Sequence, residues 1–272
     1  MRRDEIRVCI LRVGGTNCDA ETARAFRESG MRANAVHFNH LVKQQSLLDY
    51  DALVIPGGFS HGDYVRGGAI WAKRLMAKLG KELNVFVDKG RPILGICNGF
   101  QVLVEAGLLP GFDGASQFPE AALATNVPSG YNCRWVYLRH ESRGKCVFTR
   151  NVAHGSRVCV PVAHSEGRFM FAKEKEREHL ERLVENDQLV FRYCNDYGEY
   201  AEGEFPSNPN GSFFDIAGIC DPSGTVFGLM PHPERAYYGW QLQGWTRGVT
   251  PPVYGDGKAI FDSVVKYLTR SL

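Results

Sequence analysis

Through its first hundred residues the chain alternates short apolar runs with amphipathic ones, and the last run passes without a linker into a helix through Gly95-Ile96-Cys97-Asn98-Gly99. Ile6 to Val13, Ala33 to Phe38, Tyr50 to Ile55 and Pro92 to Ile96 read as strands. Helices are expected at Ala20 to Ser29, within Ala69 to Leu79, near Leu83 to Lys89, and from Asn98 to Ala106, the last closed by Gly107. Strands separated by helices mean βαβ units, a parallel sheet and right-handed crossovers.

The central region departs from this rhythm. Residues 111–130 read as a Gly/Pro/Ser-rich loop, Trp135 to Leu138 and Val158 to Ala163 as strands, Lys173 to Glu185 as a charged helix, and Leu189 to Tyr193 as another strand. Ile216 to Cys220 and Thr225 to Met230 flank Asp221-Pro222-Ser223-Gly224, whose chemistry is that of a hairpin turn. A final helix spans Lys258 to Leu268. With no repeat, low-complexity tail or clear linker, residues 1–272 are expected to form one α/β domain.

Bulk properties narrow the function classes. The net charge is only +2 and the Lys and Arg residues are scattered, which argues against a nucleic-acid partner. No apolar run approaches the roughly 20 residues of a membrane span. Eight cysteines include no C-x-x-C pair and no zinc-like spacing with histidine, and Arg7 and Arg12 interrupt the one apolar stretch near the N-terminus. These features point to reduced thiols in the cytoplasm, most of them small core residues.

Cys97 is the exception. Glycines two before and two after it, between a strand and a helix, make the cysteine form of the nucleophile elbow, where any Cβ would press strand and helix backbones apart. The sulfur would sit at a helix N-terminus, where partial positive charge favours a thiolate. A lone cysteine after an apolar strand is more often a buried core residue; the flanking glycines reverse that balance.

Far downstream, Met230-Pro231-His232-Pro233-Glu234 supplies an imidazole and a carboxylate. The two prolines bias their predecessors toward extended backbone, which would place His232 and Glu234 on one side and let the carboxylate hold one ring nitrogen while the other faces the thiol. Gly57 and Gly58 follow the strand ending at Ile55, and with the N–H of Asn98 they could form an oxyanion hole. Pro-Gly-Gly is also plain turn chemistry. His61 and Asp63 lack a third ligand and read as loop hydrogen bonders, so no metal site is expected.

Gly95 to Gln101, the run Pro56-Gly57-Gly58-Phe59-Ser60-His61-Gly62-Asp63-Tyr64, and His232-Pro233-Glu234 together resemble the class I, triad-type glutamine amidotransferases. Gly15-Thr16-Asn17-Cys18-Asp19, His164-Ser165-Glu166-Gly167-Arg168-Phe169 and Asn208-Pro209-Asn210-Gly211-Ser212 extend the likeness to the glutaminase subunits of a purine-biosynthetic synthetase. The resemblance implies a flavodoxin-like fold, a mostly parallel sheet with helices on both faces. It also implies hydrolysis of L-glutamine to glutamate and ammonia by Cys97, His232 and Glu234, with Gln101, Asn210 and Ser212 in the substrate pocket. Ammonia would pass to a large synthetase subunit that binds ATP, magnesium and formylglycinamide ribonucleotide, with a small third subunit in the complex and no cofactor in this chain.

Two other readings compete on the residues alone. One is a Cys-elbow hydrolase or peptidase of similar architecture, disfavoured because such relatives place their histidine just beyond the cysteine, where this chain has Asn98. The other is a silent binding module, disfavoured by the presence of all three triad residue types. No phosphate-cradling G-x-x-x-x-G-K-S/T occurs, since Gly255-Asp256-Gly257-Lys258 lacks the first glycine.

Overall fold

The computed structural model describes residues 2–247 and 250–271, so the extreme ends of the 1–272 span lie outside the described residues. Five strands pair parallel in the order β2-β1-β3-β4-β11: β1 (Arg7–Arg12), β2 (Arg32–His37), β3 (Ala52–Ile55), β4 (Ile93–Ile96) and β11 (Val226–Leu229). From β11 the sheet continues antiparallel through β10 (Ile216–Cys220), β9 (Leu189–Cys194), β6 (Asn132–His140) and β7 (Arg157–His164). Every residue of β3, β4 and β11 is buried, so both faces of the sheet are covered there.

The helices are α1 (Asp19–Glu28), α2 (Phe38–Gln44), α3 (Ala69–Asp88), α4 (Asn98–Glu105), α5 (Glu176–Glu185) and α6 (Lys258–Ser271). Two sequence expectations change here. The pair of helices expected around Leu79 and Leu83 is one helix, α3, because Leu75, Leu79, Leu83 and Phe86 form one continuous buried stripe across Gly80. Residues 111–130 are not all loop: β5 (Ala122–Ala124) pairs antiparallel with β8 (Arg168–Met170), apart from the main sheet. Helix α2 was not signalled by the sequence reading.

The expected hairpin joins β10 to β11, with the Gly224 N–H donating to the Asp221 carbonyl at 3.0 Å. Among the described residues no helix is long and apolar enough to cross a membrane. All eight cysteines are free.

Candidate active site

Strand β4 ends at Ile96 and α4 begins at Asn98, leaving Cys97 alone to make the turn at φ 52°, ψ −109°. That conformation is strained for a residue with a side chain. A Cβ at Gly95 would stand 2.6 Å from the Gly99 carbonyl oxygen, and one at Gly99 would run into the Ile55 carbonyl, so both glycines are steric requirements of the crossing. Cys97 is 5% exposed, and its Sγ lies 3.7 Å from the Ala163 carbonyl on β7.

Because β11 is the parallel neighbour of β4, the segment leaving it arrives beside the nucleophile. The Cys97 N–H donates to the Leu229 carbonyl at 2.8 Å, and the His232 N–H to Pro161 on β7 at 2.8 Å. His232 Nδ1 and Glu234 Oε1 are 2.6 Å apart, both side chains buried. The expected pairing is present, but its local cause differs. His232 is extended (φ −107°, ψ 91°), whereas Pro233–Ala236 closes into a short 3-10 turn that curls Glu234 back toward the ring.

Burial alone would push the His232 imidazole below its ordinary pKa. The charges of Glu234 and Cys97 and contact with Cys18 outweigh it, and the net displacement is well upward. Among the described residues Nε2 has no hydrogen-bond partner, and the thiol is aimed instead at Ala163, so Cys97 acts on the ring through proximity rather than through a formed hydrogen bond. A Cβ added to Gly57 would lie 2.7 Å from His232 Cε1, 3.1 Å from Cys18 Sγ and 3.4 Å from Cys97 Cβ. The three side chains therefore converge on one point.

The loop after β3 is clasped by the segment after β1. Asn17 and Cys18 N–H groups donate to the Gly57 carbonyl at 3.3 and 3.2 Å, the Phe59 N–H donates to Gly15 at 2.9 Å, and Thr16 bridges Gly58. Among the described residues no acceptor takes the N–H of Gly58 or Asn98. The Asn98 side chain ties this loop to α4: its Oδ1 accepts from Ser60 N–H at 3.1 Å, and its Nδ2 donates to Gln101 Oε1 at 2.8 Å and to Asp63 Oδ1 at 3.3 Å. Gln101 Nε2 donates to the Glu166 carbonyl at 2.6 Å, and Glu166 Oε2 accepts from the Gly67 N–H at 2.8 Å.

Burial, then the charge of Glu166, raises the Asp63 carboxyl to about 6, against hydrogen bonds from Gly68 and Asn98. His61 contacts Arg74 at 3.3 Å.

Asn210 and Ser212 are buried and hydrogen-bonded within the protein. Asn210 Nδ2 donates to the Gly167 carbonyl at 2.9 Å, and Ser212 Oγ lies 2.7 Å from Asn210 Oδ1. They meet the site through the His164–Gly167 loop that they support, not through free polar atoms. His164 packs beneath this loop; burial, reinforced by the charge of His232, lowers it to about 3, so it is neutral.

Sequence reasoning missed Cys18 and Arg235. Cys18 Sγ lies 3.9 Å from His232 Nδ1, and Arg235 Nη2 donates to Sγ at 3.2 Å. Cys18, His232 and Glu234 bring ligand-type atoms within 4.8 Å of one another. A divalent ion there would have to break the 2.6 Å His232–Glu234 contact and face the Arg235 guanidinium, so the cluster fits a hydrogen-bonded network better than a metal centre. The only pointer to Cys18 in the sequence is its place in the Gly15 to Asp19 run, far from both triad segments.

An elbow cysteine and a paired His–Glu at adjacent strand ends match the arrangement expected of a triad-type amidotransferase. Consistent with it, residues 5–268 match the CobB/CobQ-like glutamine amidotransferase domain, and the chain belongs to that family. Within it, the chain is similar from end to end to the phosphoribosylformylglycinamidine synthase subunits PurQ. That of Archaeoglobus fulgidus is 51% identical over 99% of this chain and 100% of its own length. That of Methanothrix thermoacetophila is 44% identical over 97% of this chain and 98% of its own length. Among solved structures, a chain of PurLQS from Thermotoga maritima superimposes with a TM-score of 0.72 at 33% identity, covering 97% of this chain and 99% of the other.

Proposed function

We propose that this chain is the glutaminase subunit of phosphoribosylformylglycinamidine synthase. It hydrolyses L-glutamine to glutamate and ammonia for a partner synthetase that converts formylglycinamide ribonucleotide to formylglycinamidine ribonucleotide in purine biosynthesis. The reading draws on full-length similarity to PurQ subunits and to a chain of PurLQS, and on one observation above the others, the convergence of Cys97, His232 and the Gly57 backbone.

Cys97 Sγ attacks the side-chain amide carbon of glutamine after giving its proton to His232. The N–H groups of Gly58 and Asn98 donate to the oxygen on which charge develops, with Gly57 holding that peptide in place. His232, held by Glu234, then protonates the departing ammonia, leaving a glutamyl thioester. In the second half His232 takes a proton from water as it attacks the thioester, and glutamate leaves. Gln101 orders the pocket wall between α4 and Glu166, while Asn210 and Ser212 hold the His164–Gly167 loop.

ATP and magnesium belong to the large synthetase subunit in this proposal, and a small third subunit completes the complex. The whole chain acts as one glutaminase domain. A cytoplasmic location is part of the proposal, resting on the biosynthetic role and the eight free cysteines.

The test uses the chain assembled with its synthetase partner. Cys97→Ala is expected to abolish glutamine-dependent synthesis and leave synthesis from added ammonium intact. Loss of both activities, or of neither, would overturn the role given to Cys97.

A further inference from the structure

We propose that Cys18 is a positioning residue for glutamine hydrolysis, its thiol backing His232 while its main chain holds the loop that carries Gly57 and Gly58. The inference rests on the glutaminase reading and goes beyond it, because no triad chemistry requires a second thiol.

Cys18 is 1% exposed, and its sulfur has three polar neighbours, Asn17, Arg235 and His232. It donates its proton to Asn17 Oδ1 at 3.0 Å and accepts from Arg235 Nη2 at 3.2 Å, so the sulfur presents a lone pair to His232 Nδ1 at 3.9 Å. Nδ1 thus has a strong acceptor in Glu234 Oε1 at 2.6 Å and a soft, distant one in Cys18. Arg235 is anchored at 2.9 Å by Glu21 on α1, which fixes the guanidinium against the sulfur. A sulfur atom reaches the ring at this distance; a methyl group would leave space beside Nδ1 through which the imidazole could turn.

The backbone of the same residue holds the Gly57 carbonyl at 3.2 Å. One residue therefore sets both the base and the loop opposite it, and moving Cys18 would shift them relative to each other. Misplacement on that scale reduces turnover more than binding.

The titratable and charged groups facing His232 are Glu234 and Arg235 on its own turn, Cys97 between β4 and α4, Cys18 before α1, His164 on β7 and Tyr131 just ahead of β6. Replacing Cys18 leaves the other five side chains of this set in the chain, and of their contacts it removes the one between Arg235 and the sulfur.

The experiment measures glutaminase kcat, KM and pH dependence for Cys18→Ala and Cys18→Ser in the assembled complex, with ammonium-dependent synthesis and thermal midpoints as controls. Cys18→Ala is expected to lower kcat about tenfold with KM within about twofold, and to move the alkaline limb of the profile to lower pH. Cys18→Ser is expected to recover part of both, and ammonium-dependent synthesis to stay unchanged. An unchanged kcat and profile in Cys18→Ala would overturn the proposal, as would an equal loss of ammonium-dependent synthesis, because the thiol would then only fill space. Retention of glutamine-dependent synthesis in Cys97→Ala would instead overturn the role given to Cys97, on which the glutaminase mechanism rests.

Discussion

Glu234 Oε1 sits 2.6 Å from His232 Nδ1 in a buried pair, and that contact governs the protonation of the ring. With the imidazole held well above its ordinary pKa, the pair's electrostatic stabilisation is fully present below the ordinary histidine value and is lost as pH rises through the raised one. Glu234→Gln removes the carboxylate charge. Its kcat for glutamine is expected to fall about a hundredfold or more, with the alkaline limb displaced to lower pH. An unshifted alkaline limb would show that Glu234 does not set the charge of His232.

Cys97 carries backbone strain, since φ 52° with ψ −109° suits glycine. Cys97→Gly and Cys97→Ala are both expected to be inactive toward glutamine, yet Cys97→Gly should be the more stable by about 1–2 kcal/mol in urea unfolding. Equal midpoints would mean that the turn relaxes when the thiol is gone.

Gly99 has no room for a side chain against the Ile55 carbonyl. Gly99→Ala is expected to cost about 1–3 kcal/mol and to lower the melting midpoint by several degrees. A variant that melts with the parent would show that β3 and α4 can separate.

Asp63, raised to about 6 by burial and by Glu166, contributes stability that is present below the ordinary carboxylate pKa and lost as pH rises through about 6. In Asp63→Asn, unfolding measured between pH 4 and pH 6 should depend less on pH than in the parent. A slope as steep as the parent's would place the titration elsewhere.

What the sequence disclosed was mostly local. The Gly95-x-Cys97-x-Gly99 crossing and the β10–β11 hairpin are written into short stretches whose turn residues have one steric solution. The continuity of α3 was not legible because Gly80 lies between the two expected helices, whereas the buried stripe from Leu75 to Phe86 carries one helix through it. The β5–β8 pair was illegible, since three residues from Ala122 to Ala124 form a strand only when Arg168 to Met170 arrive. The site shows the same division. Cys97, His232 and Glu234 stood out by chemistry, while Cys18 and Arg235 acquire meaning only where α1, β3 and the segment after β11 come together.

Strand β11 fills the gap between β4 and β10, yet it is the final strand of the sheet in chain order. During synthesis the thiol at the tip of β4 therefore exists for well over a hundred residues before its proton acceptor can be seated. Under the proposed mechanism a nascent polypeptide would hold a nucleophile without a base, and ammonia would be released only once the centre of the sheet had been completed.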